Sequence, residues 1–189
     1  MDYFEILGVE RRYHVTAEEL ERRFHDKSRQ LHPDRHMKAD ANTRVKTALA
    51  TSELNQAYRA LRDPVRRAEY LLGLYGIKLT DERDGHKVAP AFLMEMLELR
   101  EALGEAKEAG DVAKVKSLAA EVRERRDAAT AEIEAGFSRY EASGDAQVLR
   151  AVADAMIGER YFRRFLDDVE KFEDEQAQSH PPEVPEVHR

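Results

Sequence analysis

The chain has 189 residues, of which 42% are hydrophobic and 37% are charged, and this length allows one domain or two small ones. Leu, Ala, Glu and Arg dominate while β-branched and aromatic residues are sparse, which favours helices over strands. The absence of cysteine excludes disulfides, thiolate metal sites and cysteine nucleophiles, and the net charge of −7 argues against general nucleic-acid binding.

The N-terminus lacks the basic and apolar segments of a signal peptide, and no stretch approaches the about 18 apolar residues of a membrane span. We therefore expect a soluble, cytoplasmic protein that contacts no membrane. The acidic excess lies beyond residue 75, and such asymmetry predicts two domains with different partners.

Two helices are predicted before residue 33. A short one spans Asp2 to Leu7, with Asp2 as its N-cap. The second begins at Thr16, which has the spacing of a reciprocal capping box with Glu19, and it ends before Pro33 because the residue before a proline avoids helical angles. Its inward face is predicted to contain Leu20, Phe24 and Leu31.

A third helix is predicted from Asn42 to Leu61. Its periodicity predicts one apolar side with Val45, Leu49, Leu54, Ala57, Tyr58 and Leu61. Asp63 and Pro64 end this helix and begin a fourth, with Asp63 as N-cap and Pro64 in the first helical position. The fourth helix is predicted to end near Gly76.

The remaining residues predict a helical bundle. Three helical stretches, at about 90–109, 111–142 and 145–173, are joined by short turns, and Asp111 and Asp145 are candidate N-caps. The second stretch has an apolar stripe of Val115, Val122, Ala129, Ile133, Phe137 and Tyr140, and the third has one of Val148, Val152, Ala155, Phe162 and Leu166. Three helices of this kind predict an antiparallel bundle.

The tripeptide His32-Pro33-Asp34 stands in the polar loop after the second helix. Proline restricts the loop, which then presents an imidazole and a carboxylate at a fixed angle. The preceding helix offers cations to an acidic partner surface through Arg22, Arg23, Lys27 and Arg29. An ordinary turn that ends a helix is the alternative interpretation of the tripeptide.

The order of a short helix, a helical hairpin with the His-Pro-Asp loop and a short fourth helix resembles the J-domain of DnaJ-type co-chaperones. The opening Asp2-Tyr3-Phe4-Glu5-Ile6-Leu7-Gly8-Val9 is also similar to that family. The resemblance covers residues 1–75. It implies that His32, Pro33 and Asp34 contact a DnaK-class ATPase chaperone and stimulate its hydrolysis of ATP.

Metal binding is an alternative role for the same histidine. His32 and His36 are four residues apart, with Asp34 and Asp40 nearby, which is a spacing that zinc sites use on helices. Because Pro33 interrupts a helix there and the carboxylates need not converge, we expect no metal and no other cofactor. We expect no catalytic residues either, since no Walker-type loop or nucleophilic triad occurs. A metal-dependent hydrolase is the alternative from another class of function.

The run from Phe92 to Glu101, Phe-Leu-Met-Glu-Met-Leu-Glu-Leu-Arg-Glu, has two apolar edges. At about 100° per residue, one edge is a core stripe of Phe92, Met96, Leu99 and Leu103. The second edge contains Leu93, Met94 and Leu97, and it runs into an acidic edge of Glu98, Glu101 and Glu105. A Leu/Met patch bordered by carboxylates is typical of a protein-binding face. The alternative is that Leu93 and Leu97 pack against the third bundle helix or the first domain.

This run also resembles a specific family, the HscB-type co-chaperones of iron–sulfur cluster assembly in their bacterial form. The segment Arg67-Ala-Glu-Tyr-Leu-Leu72 is similar to the same family. The resemblance implies that the bundle binds IscU, the scaffold on which clusters are built, and that the J-domain delivers it to HscA, a specialised DnaK-class chaperone. The family's scaffold-binding positions correspond to Leu93, Met94, Leu97, Glu98, Glu101, Glu105 and Phe165. Phe165 lies about 100° from the predicted stripe of its helix, so it need not be in the core.

The sequence therefore predicts an all-α adaptor protein and not an enzyme. Its predicted parts are a J-domain at 1–75, a linker at 76–89, a three-helix scaffold-binding bundle at 90–173 and a disordered tail at 174–189. Two alternatives keep the J-domain but give the bundle a different client or a dimerising role. They differ at the Leu/Met edge, because a dimer would bury that edge symmetrically.

Overall fold

The computed structural model describes residues 1–36, 40–79 and 89–179. The regular structure in these ranges is entirely helical, as the sequence predicted, and consists of seven α-helices and one 3-10 helix at Pro33–His36. The α-helices are α1 (Tyr3–Leu7), α2 (Ala17–Gln30), α3 (Ala41–Arg62), α4 (Pro64–Leu74), α5 (Pro90–Glu108), α6 (Val112–Ser143) and α7 (Ala146–Ser179). None of the helices in the described ranges is long and apolar enough to cross a membrane.

Capping side chains set most of the helix starts. The carboxylate of Asp63 accepts hydrogen bonds from the first turn of α4, with Pro64 in the first helical position, as predicted. Of the two hydrogen bonds of the reciprocal capping box predicted at Thr16, the one accepted by Thr16 is present and the one accepted by Glu19 is wrong. The Thr16 hydroxyl accepts from the Glu19 N–H at 3.1 Å, but the Glu19 carboxylate lies 3.5 Å from a guanidinium nitrogen of Arg12. A charged donor competes for the carboxylate there.

The complete capping box is at α1 instead. The Asp2 carboxylate accepts from the Glu5 N–H and the Glu5 carboxylate accepts from the Asp2 N–H, both at 2.9 Å. The helix ends at Gly8, whose φ of 71° is a left-handed conformation that glycine adopts without strain.

The chain groups into two compact units. The first contains α1 to α4 together with residues 133–156, which comprise the end of α6, the turn at residues 144–145 and the start of α7. The second contains α5, residues 112–132 of α6 and residues 157–179 of α7. Gly136 lies on α6 where that helix approaches α7, and a Cβ at this position would overlap Cγ2 of Val152.

The core of the first unit joins α1 to α4 to the turn between the long helices. Its buried side chains include Phe4, Leu7, Leu20, Leu54, Leu61, Leu71, Ile133, Phe137, Leu149, Val152 and Met156. The predicted apolar side of α3 is wrong at its N-terminal end, because Val45 and Leu49 are exposed. At about 100° per residue they lie about 180° and 140° from Leu54 around the helix, so they belong to the opposite face.

The core of the second unit is formed by α5, α6 and α7. It contains Met96, Leu99, Leu103, Val115, Leu118, Val122, Phe162, Phe165, Val169 and Phe172. The prediction of a disordered tail is wrong for residues 174–179, which continue α7. Phe172 is buried and holds this end of the helix, and most of the residues that follow, apart from Ser179, are adequate helix formers. Residues 180–189 and most of the predicted linker lie outside the described residues.

Candidate functional site

The His-Pro-Asp tripeptide lies at the start of the 3-10 helix that follows α2. Helix α2 ends at Gln30, before the proline, as predicted. The N–H of Arg35 donates to the carbonyl of His32 at 3.0 Å, which closes the turn. The side chains of His32 and Asp34 are exposed, so both are available to a partner. The description of Pro33 and His36 is limited to their backbone.

His32 and Asp34 also interact with each other. The N–H of Asp34 lies 3.3 Å from Nδ1 of His32, and the Asp34 carboxylate lies 3.4 Å from the same nitrogen. The neutral ring accepts at Nδ1 from the backbone, whereas a protonated ring pairs with the carboxylate. In either state Nδ1 is turned towards Asp34, which limits the rotamers of His32 and leaves Nε2 for a partner.

The four cationic residues predicted on α2 differ in their surroundings. Arg22 and Arg23 are exposed, and Arg29 is exposed but pairs with Asp26 at 3.0 Å. Lys27 is half-buried, with its Cε 3.4 Å from the position of a Cβ at Gly8. Arg22 and Arg29 are seven residues apart, which is about two helical turns, so these two exposed cations share one face of α2.

Helix α5 exposes the second predicted face. Leu93, Met94 and Leu97 are 41%, 58% and 50% exposed, while Met96 and Leu99 on the same helix are buried. These exposures disfavour the alternative in which Leu93 and Leu97 are covered by the third bundle helix. We call the three residues Leu93, Met94 and Leu97 the apolar edge of α5.

Carboxylates border the apolar edge. Glu98, Glu101 and Glu105 are exposed and follow it along α5, with Glu105 eight residues after Leu97. Such a rim attracts basic partners and adds more to the rate of encounter than to affinity.

Phe165 is not part of this exposed surface. It is fully buried, so the expectation that it need not be in the core is wrong. The stripe extrapolated from Val148 and Val152 fails because α7 contributes to two cores. Its second half is buried through Phe162, Phe165, Val169 and Phe172, a spacing of 3, 4 and 3 residues that defines a face of its own.

A buried cluster around Arg67 is a feature that the sequence analysis missed. Nη1 of Arg67 donates to the carbonyls of Val15 and Leu61, both at 3.0 Å, and its guanidinium lies 5.2 Å from the centre of the Tyr13 ring. The Tyr13 ring stacks on Phe137 at 4.6 Å. Because Tyr13 and Phe137 are 124 positions apart, no local periodicity could reveal this contact.

Burial shifts the pKa values of this cluster. It lowers the pKa of Arg67 from its usual value. It raises the pKa of Tyr13, and the negative charge of Glu134 raises it further. The cluster fixes α4 and the segment before α2 against the turn of the long helices within the first unit, which is a structural role.

No metal centre occurs in the part of the chain that the structure describes, where no three His, Asp or Glu side chains come together. The side chain of His36, one of the residues in the metal alternative, lies outside the described residues.

Comparison with known proteins gives matches to both halves of the chain. Residues 2–70 match the model of the DnaJ domain, and residues 88–170 match that of the HSCB C-terminal oligomerisation domain. The chaperone HscB from Vibrio cholerae is similar in structure, with 29% identity, a TM-score of 0.74 and coverage of 93% of this chain and 99% of that one.

Two more distant structures share the fold. Human co-chaperone HscB has 23% identity and a TM-score of 0.75, with coverage of 92% of this chain and 82% of that one. The Jac1 co-chaperone from Saccharomyces cerevisiae has 22% identity and a TM-score of 0.65, with coverage of 92% of both chains.

Proposed function

Because the chain belongs to the HscB-type co-chaperones, with a J-domain followed by an HscB C-terminal domain, we propose that it delivers the iron–sulfur scaffold protein IscU to an HscA-like, DnaK-class chaperone in the cytoplasm. In this role the J-domain stimulates the partner's ATP hydrolysis and the C-terminal domain holds the scaffold. The protein contributes binding surfaces, and the ATPase contributes the chemistry.

The chaperone contact is proposed for the His-Pro-Asp turn and α2. His32 and Asp34 are exposed, and the contact of Nδ1 with the Asp34 N–H restrains the imidazole, so less side-chain freedom of His32 is lost on binding. Arg22 and Arg29 offer charge-assisted hydrogen bonds to an acidic surface of the ATPase. We include Pro33, Arg23 and Lys27 in this surface on the resemblance to the J-domain.

The scaffold contact is proposed for α5. The observation that carries this proposal is the exposure of Leu93, Met94 and Leu97 on one helix, next to three exposed carboxylates. A scaffold surface with an apolar centre and a basic rim fits this pattern.

Phe165 takes a positioning role in this proposal. It is fully buried in the same cluster as Met96 and Leu99, which form the inward side of α5. We therefore expect Phe165 to hold α5 in place, and to affect scaffold binding through the helix that carries the apolar edge.

The division of labour can be tested by replacing His32 with Gln. We expect H32Q to abolish stimulation of the chaperone ATPase and to leave the Kd for IscU unchanged, because the imidazole is not on α5. His14→Gln is the matched control, since His14 is an exposed histidine that lies outside both α2 and the His-Pro-Asp turn. Loss of both activities in H32Q, or equal loss of stimulation in H14Q, would refute the assignment.

A dimerising role for the bundle is a second candidate, because the matching C-terminal family model is described as an oligomerisation domain. A dimer formed through the apolar edge of α5 would bury it symmetrically and block the scaffold. Sedimentation velocity of the full chain distinguishes the two. We expect a monomer at micromolar concentration, and a dimer that Leu93→Asp dissociates would favour the second candidate.

A further inference from the structure

The methionines of the described residues fall into two groups by exposure. Met96 and Met156 are buried, at 2% and 0%, whereas Met94 is 58% exposed and Met1 is fully exposed at the terminus. Met94 and Met96 are two residues apart on α5, so one helix carries an accessible thioether and a protected one.

We propose that Met94 is an oxidation site through which peroxide switches off the apolar edge of α5. Hydrogen peroxide transfers one oxygen atom to the sulfur lone pair of Met94 and its O–O bond breaks. The sulfide is oxidised by two electrons to the sulfoxide, and the peroxide is reduced to water. A thiol-dependent methionine sulfoxide reductase reverses the change.

The residues around Met94 on the helix surface determine whether oxidation strengthens or weakens the binding of a partner. The residues three and four positions away, which are its neighbours on a helix, are Pro90, Ala91, Leu97 and Glu98. None of their side chains donates a hydrogen bond at neutral pH. Among these neighbours on α5 the sulfoxide oxygen finds no hydrogen-bond donor, so water satisfies it there, and an apolar partner that covers the edge would strip that water away.

Burial of an unsatisfied polar oxygen is unfavourable, so the sulfoxide opposes every apolar partner of this edge. The consequence for IscU rests on the proposed function, whereas the oxidation itself and the loss of apolar character do not.

The first experiment locates the oxidation. The full chain is treated with hydrogen peroxide, and fragmentation mass spectrometry assigns sulfoxide to individual methionines over time. We expect Met94 to oxidise at least about tenfold faster than Met96, since the buried thioether is shielded from peroxide. Equal rates at the two positions would overturn the proposal.

The second experiment reads the apolar character of the edge without any partner. Oxidised wild type should elute earlier from a phenyl hydrophobic-interaction column than untreated protein. Met94→Leu, which keeps the other four methionines, should shift much less on the same treatment. Treatment with the reductase should restore the wild-type elution. An equal shift in the M94L variant would overturn the assignment to Met94.

The third experiment uses IscU. Oxidation should weaken the binding of wild type to IscU by about tenfold, which is the effect of removing one interface contact of about 1.4 kcal/mol. M94L should bind equally well before and after peroxide. An unchanged Kd for fully oxidised wild type would overturn the switch. If untreated protein does not bind IscU, the proposed function fails, while the first two experiments still decide the oxidation site.

Discussion

Replacement of Leu93, Met94 and Leu97 by alanine removes the apolar edge of α5 without touching the core. The three side chains are 41–58% exposed, so about half of each is still available for a partner to cover. Full burial of such a side chain is worth about 1.5–3 kcal/mol, and the remaining half about 0.7–1.5 kcal/mol. After allowance for the alanine methyl groups, the triple variant should lose about 2–4 kcal/mol of binding free energy, or about 30- to 700-fold in Kd.

The assay is calorimetric titration of purified IscU into the full chain. Val45→Ala combined with Leu49→Ala is the matched control, because this pair on α3 is similarly exposed and lies in the other unit. The control should bind IscU like wild type. The melting temperature of the triple variant should stay within a few degrees, since alanine favours helix and the replaced side chains are exposed. A Kd within about threefold of wild type, at an unchanged melting temperature, would refute the reasoning.

Further predictions concern the fold that carries these surfaces. Gly136→Ala should destabilise the protein by about 1–3 kcal/mol, seen as a lower melting temperature, because its Cβ would overlap Val152. Gly104→Ala on α5, where nothing lies near the new Cβ, should be neutral or stabilising. Equal melting temperatures of the two variants would contradict the close approach of Gly136 to Val152. Arg67→Met should lower the free energy of unfolding in urea by about 2–4 kcal/mol, because two buried carbonyls lose their donor. Burial raises the pKa of Tyr13 in the folded protein above its value of 10.0 in the unfolded chain. The stabilisation that the neutral Tyr13 side chain gives the fold is therefore complete below pH 10.0 and is lost as the pH rises through the pKa of the folded state. The free energy of unfolding should therefore fall above pH 10, and that of the Tyr13→Phe variant should fall less steeply. Equal pH dependence of the two free energies would contradict the raised pKa of Tyr13.

Local signals predicted the order of the helices and most of the chain positions where they begin. Thr16 and Asp63 cap the helices that the sequence assigned to them, and Pro64 takes the first helical position. These features depend on a few adjacent residues, so no tertiary information was needed. The exposed apolar edge of α5 was found in the same way, because two edges were resolved within about three turns of one helix.

Two predictions that extended an apolar pattern along a helix were wrong. The stripe of α7 left Phe165 out of the core because it followed Val152 across the point where the helix leaves one core and enters another. Val45 and Leu49 were assigned to a core stripe although they lie on the opposite face of α3. Hydrophobic character marks candidates for burial, but the partner elements decide which face of a helix is covered.

Contacts between distant parts of the chain were outside the reach of sequence patterns. Tyr13, Arg67 and Phe137 form one buried cluster although they belong to three separate segments. Arginine usually lies at the surface, and the burial of Arg67 follows only from the carbonyls that accept its hydrogen bonds.

The most direct test of the central claim is steady-state ATP hydrolysis by an HscA-like chaperone, with this protein and IscU added separately and together. The account predicts that the two together stimulate hydrolysis well above the sum of their separate effects, because one chain recruits the client and activates the ATPase. Stimulation that is the same with and without IscU would contradict the scaffold role of the bundle. No stimulation of a chaperone shown to be active would contradict the account as a whole.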